Sequence, residues 1–132
     1  MAALVKKLKK IAGDAHNAVA IDPDIEAVEA LSTIFQSVFV YTENDHVIKK
    51  RNIIYRQELD DLTKLPDISM IYIGMDAIKY LSRFNGIIEK YKALIVIPHD
   101  EHLEKTHTKW LTEIRYEIIY LAKRLQIWKY KT

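Results

Sequence analysis

The sequence predicts an α/β fold: a three-layer sandwich in which a mostly parallel sheet carries helices on both faces and ends in an antiparallel β-hairpin. Three observations support this. Short apolar runs of strand length alternate with segments of helical periodicity. Those runs are continuous rather than alternating, as strands buried on both faces require. The last two runs have no helix between them, so they must pair antiparallel at one edge.

The elements follow in order. In "MAALVKKLKKIAG", Ala3, Leu4, Leu8, Ile11 and Ala12 recur at helical spacing. The apolar stretch is too short for a signal peptide and reads as an amphipathic helix. "AVAI" (18–21) is the first strand. Asp24 can cap the next helix, whose buried stripe is Ile25, Val28, Leu31, Ile34 and Phe35. "SVFVY" (37–41), "NIIYRQEL" (52–59) and "ISMIYIG" (68–74) are the second, third and fourth strands. A helix is expected from Ala77 to about Tyr91, with a bend at Asn85-Gly86. "KALIVIP" (92–98) is the fifth strand, and a helix covers about Glu101 to Ile114. Residues 116–131 form two strands around a turn at Lys123-Arg124. The link "NDHVIKKR" is short for a right-handed crossover of about 10–12 residues. It predicts either a single helical turn or an antiparallel second and third strand. Val19, Ile21, Val38, Val40, Ile71, Ile73, Leu94 and Val96 are expected to be buried in the sheet.

Composition bounds the function. The chain has 132 residues, 49% hydrophobic and 29% charged, with a net charge of +2. That suits one domain, residues 1–132, with a single core. There is no cysteine, which excludes disulfides, thiolate catalysis and cysteine-ligated zinc. No apolar run approaches the roughly 18 residues of a membrane span. The expectation is an intracellular, cytoplasmic protein whose partner is a small molecule or a protein, with self-association possible. The basic clusters are Lys6–Lys10, Lys49–Arg51, Lys129 and Lys131. With Trp128 and Tyr130 they could make a nucleic-acid surface. At this net charge a solvated face is the plainer reading.

Ligands of open α/β sheets sit outside the carboxyl ends of the strands. Polar residues follow all five of those ends: Asp22 and Asp24; Thr42, Glu43, Asn44, Asp45 and His46; Glu58, Asp60 and Asp61; Gly74 and Asp76; His99, Asp100, Glu101 and His102. Any one of them is most simply a loop residue or a helix cap. Together they form an acidic rim, which suits ribose hydroxyls, an ammonium or sulfonium group, or a divalent cation. Glu43 is the sharpest candidate, because an acid at the end of the second strand can accept both ribose hydroxyls. Asp76 could serve near an adenine or a substrate, although a cap is its simpler role. His99, Asp100 and His102 could ligate a metal only with a third loop supplying Asp76 or His46. His16 and His107 read as surface residues.

The order of elements and the closing hairpin resemble the class I S-adenosylmethionine-dependent methyltransferase fold, a Rossmann-like architecture, from about Asn17 to Lys131. "SVFVYTEND", "NIIYRQELDDL", "ISMIYIGMDAIKYL" and "KALIVIPHD" resemble its second to fifth strands. The resemblance implies S-adenosylmethionine as cofactor. Glu43 would meet the ribose, Glu58 or Asp60 would face adenine, and Asp22 and Asp76 would complete the cofactor edge. It implies no catalytic residue. The departure lies in the first turn, where the glycine-rich cofactor loop is replaced by "DPDIEAV". Pro23 fixes φ and every other residue there carries a Cβ. Two functions are therefore expected: a small methyltransferase-like domain with a degenerate cofactor loop, or a non-catalytic Rossmann-like interaction module. Asp22 and Asp24 are expected to be structural rather than phosphoryl-transfer residues, the first turning the chain with Pro23 and the second capping the helix. "VAIDPDIEAV" also resembles the start of haloacid-dehalogenase-type phosphatases, with Asp22 as nucleophile, Asp24 as acid/base and Thr42 following. That gap leaves no room for their flap.

Overall fold

Both faces of the first apolar run are hydrophobic, and the chain places this run in the interior of the sheet, in the middle of its five parallel strands. The computed structural model describes residues 2–12, 17–42, 48–56, 64–74, 77–78, 83–98, 104–122 and 125–131. Within them the order is α1 (Ala2–Ala12), β1 (Asn17–Ile21), α2 (Ile25–Ile34), β2 (Ser37–Tyr41), β3 (Ile53–Arg56), β4 (Met70–Ile73), α3 (Asn85–Tyr91), β5 (Leu94–Pro98), α4 (Glu104–Glu113), β6 (Tyr116–Ala122) and β7 (Leu125–Tyr130).

The strands form one seven-stranded sheet in the order β3-β2-β1-β4-β5-β7-β6. β1 pairs parallel with β2 and β4, β2 with β3, and β4 with β5. β7 runs antiparallel between β5 and β6. The second and third strands are therefore parallel, despite the short link. Residues 42–52 make the connection, and its return end is pinned by side chains. Asn52 Nδ2 donates to the carbonyls of Ser32 and Phe35 at the end of α2, at 2.7 and 3.1 Å. The Tyr55 hydroxyl accepts from Ile48 N at 2.9 Å.

Period-two alternation divides the core between the faces. Val19, Ile21, Phe39, Ile71, Ile73, Ile95, Ile97 and Trp128 face Ile87 and Ile88 of α3 and Leu111 of α4. Ala18, Ala20, Val38, Val40, Met70, Val96 and Ile127 face Leu8 of α1 and Val28 and Leu31 of α2. The residues expected in the sheet are buried, except that Leu94, at the open start of β5, is only half-buried. Of the helix expected from Ala77 to about Tyr91, α3 covers Asn85–Tyr91, and residues 79–82 lie outside the described residues. The backbone N–H groups of Ala77 and Ile78 both donate to Gly74 O at 3.1 Å, closing a turn there. No described helix is long and apolar enough to cross a membrane.

Candidate functional site

Only Asp22, Pro23 and Asp24 connect β1 to α2. Asp22 makes the turn by adopting a left-handed conformation, φ 49°. Aspartate tolerates this better than most residues with a Cβ. Its N–H donates to Tyr41 O at 2.8 Å, and its Oδ1 accepts from Thr42 Oγ1 at 3.2 Å. The turn is thus tied to the end of β2. Pro23 is buried. Asp24 caps α2 as the sequence expects: its Oδ1 accepts from Ala27 N at 2.7 Å.

The other side of the turn rests on β4. The Asp22 carbonyl lies so close to Gly74 that a Cβ there would sit 1.9 Å from the carbonyl oxygen and 2.7 Å from its carbon. Gly74 N in turn donates to Ile21 O at 2.8 Å. No residue but glycine fits this approach. In the sequence Gly74 stands out only as one of the residues that follow the fourth strand. The available signal was a glycine directly after a buried strand, which marks close backbone contact.

This contact occupies a particular place. α2 packs on one face of the sheet and α3 on the other, so the connections leaving β1 and β4 diverge between these two strands. That is the switch point where open α/β sheets bind ligands. Here the backbone of Ile21–Asp22 lies directly against Gly74. The Asp22 and Ala27 N–H groups are bonded within the chain, and Pro23 has none. Beneath the turn, burial and the Asp24 charge push the Tyr72 hydroxyl pKa far above its ordinary value.

Of the candidate cofactor contacts, Asp22 stands at this rim, joined to Thr42. Glu43, Glu58, Asp60 and Asp76 lie outside the described residues, as do His99, Asp100, His102 and His46. Among the described residues no group of three His, Asp or Glu side chains could hold a metal. Trp128 belongs to no binding surface. It is buried, with Nε1 donating to Gln126 Oε1 at 3.0 Å.

No known family model matches the sequence, and no curated protein matches it. Solved structures do. The precorrin-8w decarboxylase of Methanobacterium thermoautotrophicum is similar with a TM-score of 0.69 at 12% identity, over 98% of this chain and 90% of that one. The precorrin-6y C5,15-methyltransferase of Geobacter metallireducens gives 0.70 at 13%, over 96% and 84%. The N-methyltransferase NodS of Bradyrhizobium japonicum gives 0.63 at 12%, over 98% and 94%. The fold is that of the class I methyltransferases, Rossmann-like and α/β, with antiparallel C-terminal strands.

Proposed function

We propose that this chain is a class I methyltransferase-like domain whose cofactor crevice is closed, so that it serves as a non-catalytic binding module. The observation behind this reading is the Asp22 carbonyl seated against Gly74 at the β1/β4 switch point. S-adenosylmethionine carries a carboxylate and a sulfonium cation. A turn that holds it must offer N–H donors and room for close approach. This turn offers a buried proline and two acids, and its Asp22 and Ala27 N–H groups are already bonded within the chain. The residues present do not fit the cofactor there, and no methyl-transfer step is derived. Fold likeness by itself does not carry activity.

Calorimetric titration with S-adenosylmethionine and with S-adenosylhomocysteine tests the reading. The expected result is no binding tighter than about 1 mM. Micromolar binding would overturn it. The second reading, a cofactor-binding domain, draws on the Asp22–Thr42 pair, a half-buried carboxylate and hydroxyl at the ends of β1 and β2. On that reading Glu43→Ala weakens binding by roughly 1.5–3 kcal/mol, the loss of hydrogen bonds to a charged acceptor. Glu58, Asp60 and Asp76 would then complete the site.

A further inference from the structure

The opposite edge of the sheet holds a cleft of about 950 Å³, and its lining includes Tyr91, Lys92, Arg115, Lys129, Tyr130 and Lys131. Topology brings these residues together. Lys92 lies just ahead of β5 and Arg115 immediately before β6, while β7 runs antiparallel and so ends at the same edge with Lys129, Tyr130 and Lys131. Lys131 N donates to Arg115 O at 2.8 Å, which fastens two of the cationic residues together. Lys92 and Arg115 both hold left-handed backbone, φ 48° and 71°. Lys92 Nζ lies 5.1 Å from the centroid of the Tyr130 ring. That ring packs edge-on against buried Tyr116 at 5.6 Å, and the Tyr116 hydroxyl donates to Ala93 O at 2.8 Å. The wall is therefore anchored in the core.

The charge of the cleft is one-sided. The chain as a whole has 20 Lys and Arg against 18 Asp and Glu. Among the described residues, the cleft lining has four cations and no carboxylate. All four cationic residues are exposed. Lys10 adjoins Ile11 of the lining, and Lys64 adjoins Leu65, whose carbonyl accepts from Tyr91. Asp67 and Glu113 likewise adjoin Ile68 and Thr112, and Glu117 stands opposite Lys129 in the register, so it is the four lining cations themselves that exceed what one small anion needs. The cavity is of a size that takes single nucleotides and small ligands, not a duplex. Tyr91, Tyr130 and Ile119 add flat and apolar wall. Cations interleaved with rings and apolar surface suit a single strand, with phosphates on the charges and a base on the apolar wall.

We propose that this cleft binds the phosphodiester backbone of single-stranded nucleic acid. The proposal does not rest on the closed crevice, which lies at the other edge of the sheet.

Fluorescence anisotropy of a labelled oligo-dT, titrated with the full chain at several salt concentrations, tests it. Four phosphate contacts predict a log–log salt slope of about −3, from roughly −0.7 per contact on a single strand. Lys129→Gln with Lys131→Gln should weaken binding about tenfold or more and reduce the slope by roughly 1.4. Both side chains are exposed, and an unchanged melting temperature would show that the variant is folded. Lys49→Gln with Arg51→Gln removes the same charge ahead of β3, five strand spacings or about 24 Å from β7. It should cost less than about threefold. Equal losses in the two double variants would mean that overall charge holds the strand, and would overturn the proposal. So would absence of binding, tighter binding of duplex than of single strand, or displacement by inorganic phosphate at the concentration of oligonucleotide phosphate.

Discussion

Gly74 and Asp22 show how a single hydrogen in place of a methyl group shapes the site. A Cβ at Gly74 would meet backbone, which cannot swing aside as a side chain can. Gly74→Ala should therefore destabilise by about 1–3 kcal/mol, or more if the turn must be rebuilt. Urea unfolding measures this, and a change below about 0.5 kcal/mol would show that the carbonyl is not pinned. Asp24→Ala removes the cap on α2 and should cost about 0.5–2 kcal/mol by the same measurement. Asp22→Asn keeps the acceptor for Thr42 and the tolerance for left-handed φ, so stability should move by less than about 0.5 kcal/mol. A phosphatase with Asp22 as nucleophile would instead lose magnesium-dependent turnover in that variant.

At the scale of elements, the closing hairpin is fastened to the parallel sheet by Tyr116. Its ring is buried at the start of β6, and its hydroxyl reaches Ala93 just before β5. Burial, and then the neighbouring Tyr130, raise its hydroxyl pKa far above the ordinary tyrosine value near 10.0. Tyr72 is shifted the same way. The folded chain therefore holds these protons more tightly than the unfolded chain does. Stability is intact below pH 10 and is lost as pH rises above it. Melting temperatures measured between pH 8 and pH 11 should fall at the alkaline end. Replacing both tyrosines by phenylalanine should flatten that fall. Removing the Tyr116 hydroxyl also sacrifices its hydrogen bond, at about 0.5–1.5 kcal/mol across the whole range.

At the scale of the whole molecule, the sequence sets many acids after the parallel strands and many cations before them, although Asp67 precedes β4 and Glu113 precedes β6. In sequence, acids follow the strands: Asp22 and Asp24 after β1, Glu43 and Asp45 after β2, Glu58 and Asp60 after β3, Asp76 after β4. Cations precede them: Lys49, Lys50 and Arg51 before β3, Lys92 before β5, Arg115 before β6. Parallel pairing gathers all the starts at one edge and all the ends at the other. Five-residue strands set the two edges about 17 Å apart. Saturating S-adenosylhomocysteine should accordingly leave oligonucleotide affinity unchanged. Nor should it raise the melting temperature, whereas a ligand at a hundredfold its Kd would add about 2.7 kcal/mol. A shift in either measurement would mean that the carboxyl-end crevice is open after all.

Much of the fold is written locally. Apolar runs separate strands from helices, the missing helix between the last two runs forces the hairpin, and Asp24 before Ile25 signals a cap. These patterns depend on neighbours two to four positions apart, so the sequence alone determines them. It also placed Asp22 at the rim of the sheet. What only the tertiary structure decided are the meetings of distant residues. Strand order put β1 in the middle of the five parallel strands and slid β7 between β5 and β6. Parallel register set Gly74 beside Asp22, so that the Asp22 carbonyl rests where a Cβ would stand. Burial took Trp128 from the surface that the basic clusters suggested, and strand direction brought Lys92 and Arg115 to Lys129 and Lys131 instead. No local period encodes such pairs, because register and direction are fixed by the packing of the whole sheet.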